Sequence, residues 1–144
     1  MKRFWILAAT AVLSMGAAAA EDRPISFEQL PHQAKELITK EFGRAKVLLA
    51  TEDREAHGNE YEVTLDDRTK IDFDHNGLWR DIECPGKSVP SNIVPKKIAT
   101  HVASHYPQAR IVGIERERNG FEVQLSTGLE LKFDASLRCV GVDD

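Results

Sequence analysis

The chain has 144 residues, 19 of them Lys or Arg and 23 Asp or Glu, with 42% hydrophobic residues and two cysteines. That length allows one ordinary domain, and a charged fraction of 29% beside a normal apolar content argues against wholesale disorder. A net charge of −4 argues against a nucleic-acid-binding protein, which presents a basic face, and two cysteines are too few for a disulfide-built scaffold or, by themselves, for a structural zinc site.

Residues 1–20 read as an export signal. Lys2 and Arg3 form a positive start, residues 4–13 are apolar apart from Thr10, and Ser14, Gly16 and residues 17–20 are the small side chains that a signal peptidase admits. The apolar run is about half of the roughly 20 residues needed to span a bilayer, so cleavage after Ala20 is expected rather than a membrane anchor. Removing residues 1–20 leaves 17 bases against 23 acids, a net charge of −6 over residues 21–144. With no other long apolar run, the expected product is a small acidic domain, periplasmic or secreted, with no membrane span.

The remaining chain contains an internal repeat, over about residues 27–83 and 91–142. Leu30-Pro31 matches Val94-Pro95, Phe42 matches Tyr106 and Val47 matches Ile111 at an offset of 64. Downstream the offset is 60: Tyr61-Glu62-Val63-Thr64-Leu65 lies over Phe121-Glu122-Val123-Gln124-Leu125, and Ile71-Asp72-Phe73-Asp74 over Leu131-Lys132-Phe133-Asp134. A longer loop at residues 52–58 accounts for the difference, and loops absorb such changes at little cost.

Each repeat opens with a helix behind a proline suited to the first helical position, Pro31 or Pro95. Leu30, Ala34, Leu37, Ile38 and Phe42 recur at helical spacing in the first, which Gly43 is expected to stop at the C′ position. Ile98, Val102 and Tyr106, helped by Ala99 and Ala103, form the stripe of the second, stopped by Pro107. Strands follow at 47–51, 61–65, 71–73 and 78–83, and at 110–115, 121–125, 129–133 and 137–142, with polar turns between them. His75-Asn76-Gly77 is a turn needing positive φ, and all six prolines fall outside these predicted strands. Residues 84–92 connect the repeats. One repeat alone is marginal as a domain. The expected fold is therefore a single α+β domain: a tandem repeat of helix plus four antiparallel strands sharing one antiparallel sheet, helices on one face and the other face open to water.

At this point the residues resemble a known family. Leu30-Pro31, Tyr61-Glu62-Val63-Thr64-Leu65, the run Phe73-Asp74-His75-Asn76-Gly77-Leu78-Trp79, Val89-Pro90, Ile93-Val94-Pro95 and the weaker second copy ending Phe121-Glu122-Val123 and Phe133-Asp134 are similar to the PepSY-like, β-lactamase-inhibitor-like secreted proteins of bacteria. The resemblance covers about residues 27–142 and implies tandem repeats in one curved sheet, similar to β-lactamase inhibitory protein. It carries over no catalytic or binding residues, and shared fold is a weak warrant for shared function. The second copy departs from the pattern at Ala135-Ser136-Leu137-Arg138-Cys139, which lacks the Gly and the Trp.

No catalytic set emerges: Gly-x-Ser-x-Gly and His-Glu-x-x-His are both missing, and no enzyme, cofactor or metal is expected. His101 and His105 stand four apart on the second helix without evident further ligands. Asp72, Asp74 and Asn76 alternate like calcium ligands, but the loop lacks its terminal Glu. Export favours a Cys84–Cys139 disulfide. Cys139, however, aligns with Trp79 rather than Cys84, so a bridge and two thiols both remain open. Alternation places Glu62, Thr64, Asp72, Asp74, Glu122, Gln124, Glu130, Lys132 and Asp134 on the open sheet face, and Trp79, out of phase with Leu78 and Ile82, is assigned there too. Glu62, Asp72, Asp74, Trp79, Glu122 and Lys132 are the candidate contacts for a protein or peptide partner outside the cytoplasm. A solvated charged face is the plainer alternative, and a small-ligand or metal-ion carrier the other functional one.

Overall fold

A computed structural model describes residues 22–144; the expected signal peptide and its cleavage after Ala20 lie outside the described residues. The elements run β1 (Arg23–Ile25), a 3-10 turn (Phe27–Gln29), α1 (His32–Phe42), β2 (Val47–Glu55), β3 (Gly58–Leu65), β4 (Lys70–Phe73) and β5 (Trp79–Glu83). They continue with α2 (Lys96–His105), β6 (Ile111–Glu117), β7 (Gly120–Leu125), β8 (Glu130–Asp134) and β9 (Cys139–Asp143). All nine strands form one sheet in chain order, and every neighbouring pair is antiparallel.

Register organises the two faces. Ile25, Ala50, Val63, Ile71, Ile82, Ile114, Val123, Leu131 and Val142 stand opposite one another from β1 to β9. From Ala50 to Leu131 each member of this row is at most 2% exposed. The helices supply the cover. Ala34, Ile38 and Phe42 on α1 and Ile98 and Val102 on α2 are buried in the same cluster, at the four-residue spacing that puts side chains on one helix face. Burial of this continuous apolar layer is the main stabilising term.

Several expectations change. β1 was not anticipated, and Pro24 lies in it, paired with Thr51. A strand containing proline is tolerated there because β1 is an edge. β2 extends to Glu55 and β3 begins at Gly58, so residues 52–58, expected as a loop, form the end of a long hairpin. Arg23–Glu52 and Asn59–Glu52 contacts tie this polar end together. Gly43 closes α1 at φ −64°, a right-handed value, so no left-handed cap is used. Trp79 does not face the open side. An irregularity between Asp72 and Phe73 places Trp79 opposite Phe73, and the indole is 7% exposed in the core. Cys84, just past the end of β5, and Cys139, at the start of β9, are both free thiols, with β6, β7 and β8 lying between those strands, so the bridge is not formed.

The β4–β5 turn fits its residues closely. Gly77 has φ +83°, and an added Cβ would lie 2.7 Å from Pro31 Cβ, so the turn is packed against the start of α1. Asp74 Oδ1 accepts hydrogen bonds from the backbone N–H of Asn76 and of Leu78, both at 2.9 Å. Asp134 does the same for Ser136 and Arg138. Asp74→Ala is expected to cost about 1–2 kcal/mol, the loss of two hydrogen bonds to a charged acceptor. Urea unfolding of the variant measures it, and an unchanged midpoint would show that the turn does not need this side chain.

Candidate functional site

On the face away from the helices, one register line carries a row of acids. Glu62 stands opposite Asp72, Asp72 opposite Asp81, Asp81 opposite Glu115, and Glu115 opposite Glu122. Pro24 and Thr51 precede Glu62 on this line, and Lys132 then Gly141 end it beyond Glu122. Five carboxylates on five adjacent strands span about 19 Å at the usual interstrand spacing. Their alignment follows from the pleat: each is one residue removed from a member of the apolar row. Flanking positions add Glu60, Glu83, Glu117 and Glu130 to this face. Its cations include Arg80, which reaches Glu60 at 2.7 Å, together with Lys70 and Lys132.

Like charges crowded on one sheet face oppose folding, and Glu122 shows a strained carboxyl. Burial first, then hydrogen bonds with Glu117 and Glu130 and their negative charge, push its carboxyl up to about 8. Ligand oxygens of Glu115, Glu117 and Glu122 lie within 4.8 Å of one another. Carboxylates converging in this way can share a proton, chelate a hard cation or receive basic side chains.

Of the residues chosen from the sequence, Glu62, Asp72, Glu122 and Lys132 come together in this row. Asp74 is instead engaged in its turn, and Trp79 lies in the core, where the Arg116 guanidinium carbon sits 4.3 Å from its ring centroid. Asp81, Glu115 and Glu117 were missed. The Asp81-Ile82-Glu83 alternation carried a signal for the first, but the near-continuous apolar start of β6 hid the second. His101 and His105 stack at 4.1 Å between ring centroids, with His101 edge-on to Phe133, a packing arrangement on α2. A separate open groove of about 870 Å³ runs between α1 and the β4–β5 turn, past Leu37, Leu78 and Ile93. Its charges are mixed, with Lys35 and Lys40 beside Glu36 and Glu41.

The family model described as "Putative beta-lactamase-inhibitor-like, PepSY-like" matches twice, over residues 18–68 and 59–139. The chain belongs to the PepSY-like family. This PepSY-like chain is similar in structure to a "putative calcium-regulated periplasmic protein" of Bacteroides thetaiotaomicron. The TM-score is 0.82 at 36% identity, covering 85% of this chain and 97% of that one. It is also similar to two periplasmic proteins of Bacteroides vulgatus, each described as putative. One gives a TM-score of 0.84 at 35% identity, covering 88% of this chain and all of the other. The second, described as of unknown function, gives 0.81 at 32%, covering 86% of this chain and 100% of that one. No curated protein matches the chain. Among the described residues, no helix is long and apolar enough to cross a membrane.

Proposed function

We propose that this PepSY-like protein is a non-enzymatic binding module, exported to the periplasm, whose acidic sheet face engages a basic segment of a protein or peptide partner. The observation that carries the reading is the unbroken acid row from Glu62 to Glu122. A chain gains nothing in stability by setting five acidic side chains opposite one another, and Glu122 holds its proton well above the usual carboxylate range because of burial and of its acidic neighbours. A cationic partner drawn to this acidic face supplies a reason for the arrangement, together with steering of its approach. The open face favours binding over catalysis, because it offers no enclosure from which water is excluded. The periplasmic descriptions of the three structural relatives and the leader-like residues 1–20 support the location.

The test is affinity capture from periplasmic extract with wild-type protein and a variant carrying Glu62→Gln, Asp72→Asn, Asp81→Asn, Glu115→Gln and Glu122→Gln. A specific protein retained by the wild type at low salt, lost at high salt and lost with the variant is the expected result. Equal recovery by both proteins would sink the reading.

A second reading is favoured by two observations: the converging Glu115, Glu117 and Glu122 carboxylates, and the description of the Bacteroides thetaiotaomicron relative as calcium-regulated. Here calcium would take oxygen ligands from these three residues. Calorimetric titration with calcium is expected to give a saturable heat that Glu117→Gln and Glu122→Gln each abolish. Heat that persists in both variants would place the ion elsewhere.

We also read the chain as a duplicated unit, residues 27–83 and 91–142. Matching register irregularities support this, at Val47/Leu49 and Ile111/Gly113 and at Asp72/Phe73 and Lys132/Phe133.

A further inference from the structure

The two edges of the sheet are built differently. β1 has three residues, includes Arg23, and places Pro24, which has no amide hydrogen, at its centre. Such an edge resists further pairing. β9 has five residues, Cys139–Asp143, with neither proline nor lysine. Val140 and Val142 on it are 65% and 53% exposed. Val142 stands opposite Leu131 and closes the apolar row, so it occupies a core position without cover.

The chain contains a precedent for covering such an edge. β5 and β9 are each the fourth strand after a helix, and each carries an irregularity opposite a phenylalanine. Asp72 faces Asp81 but Phe73 faces Trp79; Lys132 faces Gly141 but Phe133 faces Cys139. Beyond that point β5 offers Asp81, Ile82 and Glu83 to β6, which pairs with all three. Gly141, Val142 and Asp143 occupy the same places in β9, at the edge of the sheet.

We infer that β9 pairs with β9 of a second copy of this chain, antiparallel about a two-fold axis through Val142. Head-to-tail growth would bring β9 against β1 of the next copy, where Pro24 obstructs the ladder. The closed, isologous arrangement is the one these edges allow. In this register Val142 faces Val142 of the second copy, and the apolar row continues across the joint to the other Leu131. On the acidic face Gly141 meets Asp143 of the second copy. Gly141 has no side chain, and Lys132 lies along it, its Cβ 3.6 Å from where a Cβ would stand. Each Lys132 thus lies on the side of Gly141 that meets the opposite Asp143, and a positive side chain is set toward a negative one beside the apolar contact. So short an edge buries less than the roughly 1,000 Å² of a strong interface, so the dimer is a weak one. The inference does not depend on the acidic face having a partner.

Sedimentation equilibrium of residues 21–144 between about 10 μM and about 1 mM reads it directly. The weight-average mass is expected to climb from one chain toward two. A monomer mass over the whole range overturns the inference. Val142→Lys sets two ammonium groups opposite each other and is expected to weaken the dimer at least about tenfold; an unchanged dimer overturns the register. In a Cys139→Ser background, Val142→Cys brings two thiols to a two-fold position where opposed Cα atoms lie about 4.5–5.5 Å apart, within disulfide reach. Mild oxidation is expected to link Val142→Cys rapidly, and Leu48→Cys, at another exposed position, only slowly. Equal rates overturn the pairing. Val142 and Leu48 are both exposed positions, so their substitution is expected to keep the monomer fold, and the Cys139→Ser background is common to both cysteine variants.

Discussion

Phe73→Ala is expected to lower the free energy of unfolding by about 4 kcal/mol. Phe73 is 1% exposed and stands opposite Tyr61 on β3 and Trp79 on β5. Truncating it removes the transfer energy of a whole ring and leaves a cavity whose walls belong to three strands and cannot collapse freely. It also removes the support that holds Trp79 beside Phe121, 6.4 Å away between ring centroids, and under Arg116. For a chain of this size the melting temperature is expected to fall by about 15 °C. Urea titration with an unchanged slope measures the loss. A loss under about 1 kcal/mol would mean that the sheet does not pack on this ring.

Glu122→Gln is expected to make the protein more stable at alkaline pH while weakening its binding. The folded carboxyl titrates at about 8 against an ordinary 4.5, for reasons of burial and of the neighbouring Glu117 and Glu130. Between those values the folded chain holds a proton that the unfolded chain has released. The contribution of Glu122 to stability is thus fully present below pH 4.5, is lost as the pH rises to about 8, and stays lost above it. Discounted for the partial solvent exposure of the side chain, the fall is about 1–2 kcal/mol. Glutamine does not ionise and abolishes it. Urea midpoints at several pH values between 4.5 and 9 check the sign. Parallel profiles for wild type and variant would show that Glu122 carries no strained charge. A gain in stability joined to a loss of binding is the signature of a site kept for function at the expense of folding.

Much of this architecture was legible because two periodicities are clean. Ala34, Ile38 and Phe42 recur at the helical interval, and Tyr61-Glu62-Val63-Thr64-Leu65 alternates at the strand interval. Strand alternation also placed Glu62, Asp72, Glu122 and Lys132 on one sheet face. It failed at Trp79 because the irregularity before Phe73 inserts one residue, Arg80, and reverses the parity counted from Ile82. β1 is three residues with no period to read. The hairpin end at Glu52–Glu55 was hidden because its side chains are polar on both faces. The meeting of Asp81 with Glu115 was the least legible feature. β5 and β6 are joined through α2, so no local turn sets their register; packing of the apolar row and backbone hydrogen bonds from Cys84 and Val89 to Val112 and Ile111 align them.

The claim that the acidic sheet face is the binding surface is tested most directly by site-specific photocrosslinking in the exporting cell. A crosslinker at Gln124, exposed beside Glu122 on this face, is compared with one at Lys97, exposed on α2. A discrete adduct from Gln124 and none from Lys97 is the predicted result. An adduct from Lys97 alone, or none from either position, would contradict it.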